Sequence, residues 1–585
     1  MPGALRVSEL RVRIRRVRGL NHAATAFVFL AFFALVLLSN QADWDQFMSN
    51  AEVDRRSWLL DGQAPLWSYQ LCGGVTRAGD PQGFGLSPLF LPVLLLGSFW
   101  GMKLLVVVLA AVGFASLKAT LELLMTAGRR SARATEKQLA LAVSLAFIFG
   151  NFCLWHANQG HVTFSLVHLG LAAMYGVIRL ALISGRTWKL AGLIALVATC
   201  YFSGGTYHSF TFFVLPLSVA ALLFAGQGLV RARGRPQWPW RRLSTALVAG
   251  LLGIVLATPK VLAILDYQRA SPRTLAGHRE SETTSFLQTL VYQAVPTWNG
   301  RFAGQSRGWG PWGWWEYSAF NLNLWLCAGM AVAAYWAMRR RAPAALWVWA
   351  ACLAAAAELF ALGDAGPSLF RLLNLALHDS VRVVGRYQGL ISLALAFLAA
   401  YLGLRQRWVR RLAAGYHTLW VPACLALNMA TFGDSPSVES FGQMLGLGRE
   451  EARQMHSMVV ANPRTPQGSF MYPPILLGGG VLNCYDPISR VGVLTREFAG
   501  QAEFLDASGQ LRVGLYPFID PSHGSPSSAC RENSYFTQNA LVLDPSCGPG
   551  TCVNVNNLNP RDKVPLEPNR QVGKFCLPER LEARP

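Results

Sequence analysis

The stretch Ser39-Asn-Gln-Ala-Asp-Trp-Asp-Gln-Phe47 decides how the rest of the chain is read. It follows directly on an apolar run, Ala23 to Leu38, and so sets two carboxylates, Asp43 and Asp45, at the rim of a membrane helix. Acidic groups at that depth are costly to desolvate, and those that occur are commonly functional. Position alone leaves a second reading open, in which both are solvated loop residues or Asp45 caps the helix that follows.

The composition favours the membrane. Of 585 residues, 52% are hydrophobic and only 14% charged, and the mean hydropathy is +0.30. Soluble domains carry about 25% charged residues. The net charge of +21 does not point to nucleic acid, because the arginines lie in short clusters between apolar runs and not on one polar domain. Residues 1–21 form a basic arm with Arg6, Arg11, Arg13, Arg15, Arg16 and Arg18. No small-residue cleavage site follows it, so the arm and the first apolar run read as a start-transfer anchor.

A helix needs roughly 20 apolar residues to cross the bilayer. Eleven spans are expected: 22–39, 88–124, 138–156, 162–184, 188–203, 208–230, 243–265, 320–338, 344–362, 387–404 and 412–432. The second is longer than one crossing needs and reads as an entry segment plus a helix. Lys and Arg gather at every second loop, as in Arg129–Lys137, Arg231–Arg242, Arg339–Arg341 and Arg405–Arg411. The positive-inside bias then places the N-terminus in the cytoplasm. Loops 40–87, 266–319 and 363–386 and the tail 433–585 fall outside. The inner basic clusters set topology and meet anionic lipid.

The loop 40–87 is expected to be structured. A helix over Asp45 to Asp61 carries Phe47, Met48, Val53, Trp58, Leu59 and Leu60 and suits an interfacial position. Gly- and Pro-rich sequence follows, with Pro65-Leu-Trp67 and Gly79-Asp-Pro-Gln-Gly-Phe-Gly-Leu-Ser-Pro88. Irregular backbone of this kind, at membrane depth, must pack on protein or line a wet cavity. In loop 266–319 the block Trp309–Tyr317, with Trp312 and Trp315, reads as an interfacial belt or as a platform for sugar rings. Loop 363–386 ends in Arg382 and Arg386, which oppose the positive-inside bias and match phosphate through their planar forks. Snorkelling to headgroups is the other reading.

After Phe432 the apolar runs shorten. Pro474–Leu477, Gly480–Tyr485, Gln510–Tyr516 and Asn539–Leu543 read as short strands of a small, β-rich outer domain. Cys484, Cys530, Cys547, Cys552 and Cys576 lie there, and Cys547 and Cys552 flank a tight loop that makes them the disulfide candidate. Sequence alone leaves the pairing open.

No nucleotide loop, hydrolase elbow or zinc-protease helix is present. The chemical resources share the outer face: Asp43, Asp45, Glu52 and Asp80; His156, His161 and His208; Lys260, Asp266 and Glu280; Arg382 and Arg386. Carboxylates there can deprotonate an incoming hydroxyl or hold a divalent ion. Arginines suit a departing lipid phosphate. Packing or snorkelling near a helix end is the commoner fate of such histidines and of a lysine like Lys260.

The order of these features resembles the GT-C superfamily of integral-membrane glycosyltransferases, most closely the YfhO-like bacterial membrane proteins. The resemblance runs over roughly residues 22–404. It rests on the acidic start, Pro65-Leu-Trp67, the run Gly73…Pro81-Gln-Gly83…Pro88-Leu-Phe90, Gln159-Gly-His161, and Arg382…Arg386-Tyr387. It implies an α-helical polytopic membrane protein of about 11 transmembrane helices, 22–432, ahead of an extracytoplasmic domain, 433–585, in a bacterial inner membrane. The implied reaction is inverting transfer of a sugar from a polyprenyl-phosphate donor to a glycan, lipid or protein acceptor. Asp45 maps to the base and Asp43 to its partner. From their own chemistry and position, Arg382, Arg386 and Lys260 are the candidates for the donor phosphate, and His161, His208, Asp266, Trp312 and Trp315 for substrate. A second acidic motif carried by some members is not identifiable, Asp266 and Glu280 being candidates by location only, which leaves a Mg or Mn ion at Asp43 and Asp45 open. A transporter or flippase of lipid-linked glycans and a non-catalytic membrane assembly component are the competing readings.

Overall fold

The structure, a computed structural model, describes residues 25–39, 42–68, 75–126, 133–182, 187–204 and 240–270, isolated positions (23, 393, 396, 397, 400, 421, 425 and 475), and three strands between 539 and 576. This part is mostly helical. Its helices are α1 (Thr25–Leu38), α2 (Ala42–Leu59), α3 (Leu91–Thr126), α4 (Ala134–Ile148), α5 (Asn151–Gln159), α6 (Val167–Leu182), α7 (Thr187–Ser203) and α8 (Trp240–Ala270). Three stretches are long and apolar enough to cross a membrane: Pro88–Thr126, Val162–Leu182 and Arg241–Asp266.

The long second span is divided at Gly97, whose backbone takes φ 83° and ψ 166°. Only glycine adopts that geometry without strain. The segment before it folds back so closely that a Cβ on Gly101 would lie 2.4 Å from the Val93 Cα. Entry segment and helix are therefore packed against each other, with Ser98 opening the second part.

The span expected at 138–156 is instead two helices. α4 stops at Ile148, and Gly150 turns the chain into α5, which ends at Gly160 in the left-handed region (φ 83°). A short 3-10 turn, Val162–Leu166, then leads into α6. Two glycines bracket α5 and set it apart from the helices on either side. The expected spans 188–203 and 243–265 correspond to α7 and α8.

Phe32, Leu35, Val36, Trp44, Met48, Phe90, Met102, Leu109, Phe149 and Leu154 form one buried core. Leu393, Ala396, Phe397 and Ala400, together with Val421 and Leu425, are helical and join it. Edge-to-face contacts of Phe29 and Phe32 with Phe149 fasten α1 to the end of α4. α7 packs against α6 and α8, and α3 against α2, α4 and α6.

Between α2 and α3 the chain makes a two-stranded antiparallel ladder, β1 (Trp67–Ser68) and β2 (Val75–Thr76). A 3-10 turn at Pro88–Phe90 follows, capped by Ser87. Ser203 Oγ of α7 donates to Ser87 Oγ at 3.0 Å, so the end of this loop docks on α7.

α2 starts three residues before the expected helix and is not laid on a surface. Trp44, Gln46, Phe47, Met48, Ser49, Ala51, Glu52, Val53 and Asp54 are all buried, while Trp58, Leu59 and the following Leu60 are exposed. Polar residues on nearly every side find partners, which is what permits such burial.

In the tail, β3 (Asn539–Leu543), β4 (Cys552–Asn557) and β5 (Lys574–Cys576) form an antiparallel sheet in the order β3-β4-β5. The strand expected at 539–543 is present. Cys552 stands opposite Cys576 in the register. Ile475, expected in a strand, is helical and buried. The expected spans 208–230, 320–338 and 344–362, and most of 387–404 and 412–432, lie outside the described residues, as do the other expected strands.

Candidate functional site

Trp44 fixes the start of α2. Its indole Nε1 donates to the carbonyls of Ala157 (3.1 Å) and Asn158 (3.2 Å) at the end of α5. The Lys103 ammonium lies 3.5 Å from the centre of its ring. Lys103 projects from α3, is wholly buried, and donates to the Ser39 carbonyl. Ser39 Oγ in turn donates to the Leu35 carbonyl at 2.8 Å and lies 3.1 Å from Asn158 Oδ1.

Gly160 completes the clamp. A Cβ there would lie 2.3 Å from the Trp44 nitrogen, and its φ of 83° would strain any other residue independently. The backbone that carries Asp43 and Asp45 is thus held by α3 and α5 together. Both acids occupy the first turn of α2, where the unpaired N–H groups and the helix dipole favour negative charge. By the helical period Asp45 shares a stripe with the buried Ser49 and Glu52, and Asp43 shares one with Phe47 and Asp54.

Glu52 is wholly buried and accepts from Arg55 (2.7 and 2.9 Å), Arg56 Nε (3.2 Å) and Ser98 Oγ (2.7 Å). Four donors satisfy a carboxylate that burial would otherwise make untenable.

A second buried group of charges lies further along. Arg77 forks across Asp54, with Nε 2.8 Å from Oδ1 and Nη2 3.1 Å from Oδ2, and its Nη1 reaches Asp80 Oδ2 at 2.7 Å. Lys260 of α8 donates to the carbonyls of Arg77 (3.1 Å) and Asp80 (2.7 Å). Burial raises the Asp54 pKa above the ordinary carboxylate value, against the opposing pull of Arg77 and Lys260. Gly85 lets the chain pass, since a Cβ there would lie 2.6 Å from Asp54 Oδ2. The Gly85 carbonyl accepts from Trp58 Nε1 at 2.8 Å.

His156 and His161 face each other with Nδ1 atoms 2.7 Å apart, and His156 stacks flat on Phe164. At that distance one imidazole donates and the other accepts, so the pair is held in complementary tautomers.

The expected residues fall as follows. Asp43 and Asp45 sit in α2, His161 in the buried histidine pair, and Lys260 in the ionic group. Asp266 is exposed near the end of α8. His208, Trp312, Trp315, Arg382, Arg386 and Cys547 lie outside the described residues, and Cys552 begins β4.

Comparison with family models, curated proteins and solved structures gave no match. Among the described residues no group of three or more His, Cys, Asp and Glu is placed to hold a metal ion.

Four residues of the assembly were missed in the sequence: Asp54, Arg77, Lys103 and Asn158. Lys103 had a signal, since it is the one charge between Leu91 and Leu117. Asp54 and Arg77 stand 23 positions apart with no motif joining them.

Proposed function

We propose that this chain is an integral-membrane glycosyltransferase of the GT-C type, transferring a sugar from a polyprenyl-phosphate donor to an acceptor at the outer membrane face. The observation that carries the reading is the clamp on Trp44. It holds the residue between the two candidate acids against two bundle helices, and a rigid, buried support is what a catalytic carboxylate needs.

In this reading the Asp45 carboxylate takes the proton of the acceptor hydroxyl as its oxygen attacks the anomeric carbon. Asp43 orients that hydroxyl. The bond from the anomeric carbon to the phosphate oxygen breaks on the opposite face, so the configuration inverts. Polyprenyl phosphate leaves with the electron pair, and Arg382 and Arg386 balance the charge that develops on it. Lys260 already donates to two backbone carbonyls, so its part is to shape the first loop and the arginines meet the phosphate. The eleven-span inner-membrane topology, with the N-terminus cytoplasmic and 433–585 as a β-rich extracytoplasmic domain, belongs to the same proposal. The three long apolar helices and the β3-β4-β5 sheet support it.

Mass spectrometry of lipids that co-purify with the full chain tests the donor class. Polyprenyl phosphate retained by the wild type and lost on joint Arg382→Ala and Arg386→Ala substitution supports the reading. Retention undiminished in that variant removes the arginines from the donor site, and absence of the lipid from the wild type counts against the class.

A further inference from the structure

The turn from Arg77 to Gly83 has the form of a cation loop. Two backbone carbonyls, of Arg77 and Asp80, converge on one point from the same side, 3.1 and 2.7 Å from the Lys260 nitrogen. The Asp80 carboxylate lies beside that point without an ion pair to Lys260, its Oδ2 being held by Arg77 at 2.7 Å. A Cβ on Gly83 would lie 3.2 Å from Asp80 Oδ2 and 3.3 Å from Lys260 Nζ, so both reach the same small space above the glycine. Asp80 Oδ1 accepts from the Gln82 N–H at 2.8 Å, which curls the backbone around it. Carbonyl and carboxylate oxygens gathered by a glycine-bearing turn are how proteins enclose hard cations.

Here the cation is covalently tethered. Lys260 arrives on α8, 180 positions away in sequence from Asp80, and is 2% exposed. The charge count fits a single positive charge. Asp54 and Asp80 together with the Arg77 guanidinium leave one negative charge, and one ammonium cancels it. A divalent ion would overshoot. The Arg77 guanidinium is directed to Asp54 and Asp80, where its Nε, Nη1 and Nη2 each donate.

We propose that the Arg77–Gly83 turn is a monovalent-cation site that the chain fills with its own Lys260 ammonium, so that the position of α8 sets the shape of the first loop. The site is independent of the transfer reaction and stands whether or not the chain moves a sugar. Removal of the lysine side chain leaves the two carbonyls, with the Asp80 carboxylate nearby, to receive potassium or a small alkylammonium.

The test is amide hydrogen exchange over residues 75–87 in the full-length protein in detergent, in choline chloride, whose cation is too large to enter. Lys260→Ala is expected to exchange there at least about tenfold faster than wild type, because losing a buried contact lowers the free energy of local opening. Methylammonium or potassium then restores protection, and methanol at the same concentration does not. Lys260→Met, which fills the space without charge, loses protection that no cation restores. If Lys260→Ala folds only when the cation is supplied, the proposal is equally supported. Protection retained by Lys260→Met, equal rescue by methanol, or a Lys260→Ala protein that fails to fold or regain protection with the cation present would overturn it.

Discussion

The Lys103 ammonium stands 3.5 Å from the centre of the Trp44 ring, and both residues are wholly buried. A desolvated cation–π contact is worth about 2 kcal/mol, while burying an ammonium costs several. Among the described side chains no carboxylate pairs with Lys103. Lys103→Met should therefore melt no lower than wild type, by intrinsic Trp fluorescence in detergent. If the lysine serves the acids beside Trp44, the same variant should lose transfer activity. Transfer at the wild-type rate would remove Lys103 from the site.

Gly160 and Gly62 separate crowding from backbone geometry. Both have positive φ, 83° and 64°, but only Gly160 is crowded, with Trp44 at 2.3 Å from a Cβ. Gly62→Ala should cost about 1 kcal/mol, the left-handed penalty alone. Gly160→Ala adds an overpacking cost of roughly 1–3 kcal/mol. Paired denaturation curves check the difference, and equal losses would mean that Trp44 moves freely.

Arg77 serves two buried carboxylates at once. Arg77→Met leaves both without their guanidinium and should destabilise by about 3–5 kcal/mol. Adding Asp54→Asn should recover part of the loss, because one of the stranded charges is gone. A strictly additive double variant in the same unfolding assay would show that the two residues are not coupled.

Asp54 also gives a pH signature. Burial raises its pKa above the ordinary value near 3.8, so the folded chain keeps this proton to a higher pH than the unfolded chain. Its contribution to stability is full below that value. It is lost as pH rises through the raised folded value, and is flat above. The melting temperature of wild type minus that of Asp54→Asn should therefore fall with rising pH over this window. A difference that rises instead would mean that Arg77 outweighs burial.

How much of this was legible in the sequence depends on the distance over which each signal acts. The apolar runs of α6, α7 and α8 were readable because hydropathy is local, and α3's excess length already implied the break found at Gly97. The division of 138–156 was not readable. Its cause is the fit of Gly150 and Gly160 against neighbours, Gly160 against Trp44 from over a hundred positions away. The same holds for the ionic group. Asp80 was visible as an acid, but its pairing with Arg77 and the approach of Lys260 exist only once α8 lies beside the first loop. Lys260 read as a phosphate ligand because a lone lysine near an outer helix end looks alike in both roles. For α2, the sequence carried the helix but not its burial, since Glu52 and Asp54 become tolerable inside only when Ser98 and Arg77 arrive.

If the acid pair beside Trp44 performs sugar transfer, its removal must stop the reaction without unfolding the chain. The most direct measurement is Asp45→Asn, with Asp43→Asn alongside, in cells that make the protein, with lipid-linked sugar pools and outer-face glycan quantified by mass spectrometry. The account predicts a protein of unchanged melting temperature that accumulates polyprenyl-phosphate sugar and loses its glycan product, most severely for Asp45→Asn. Unchanged consumption of the donor by both variants, at wild-type expression and stability, would contradict it.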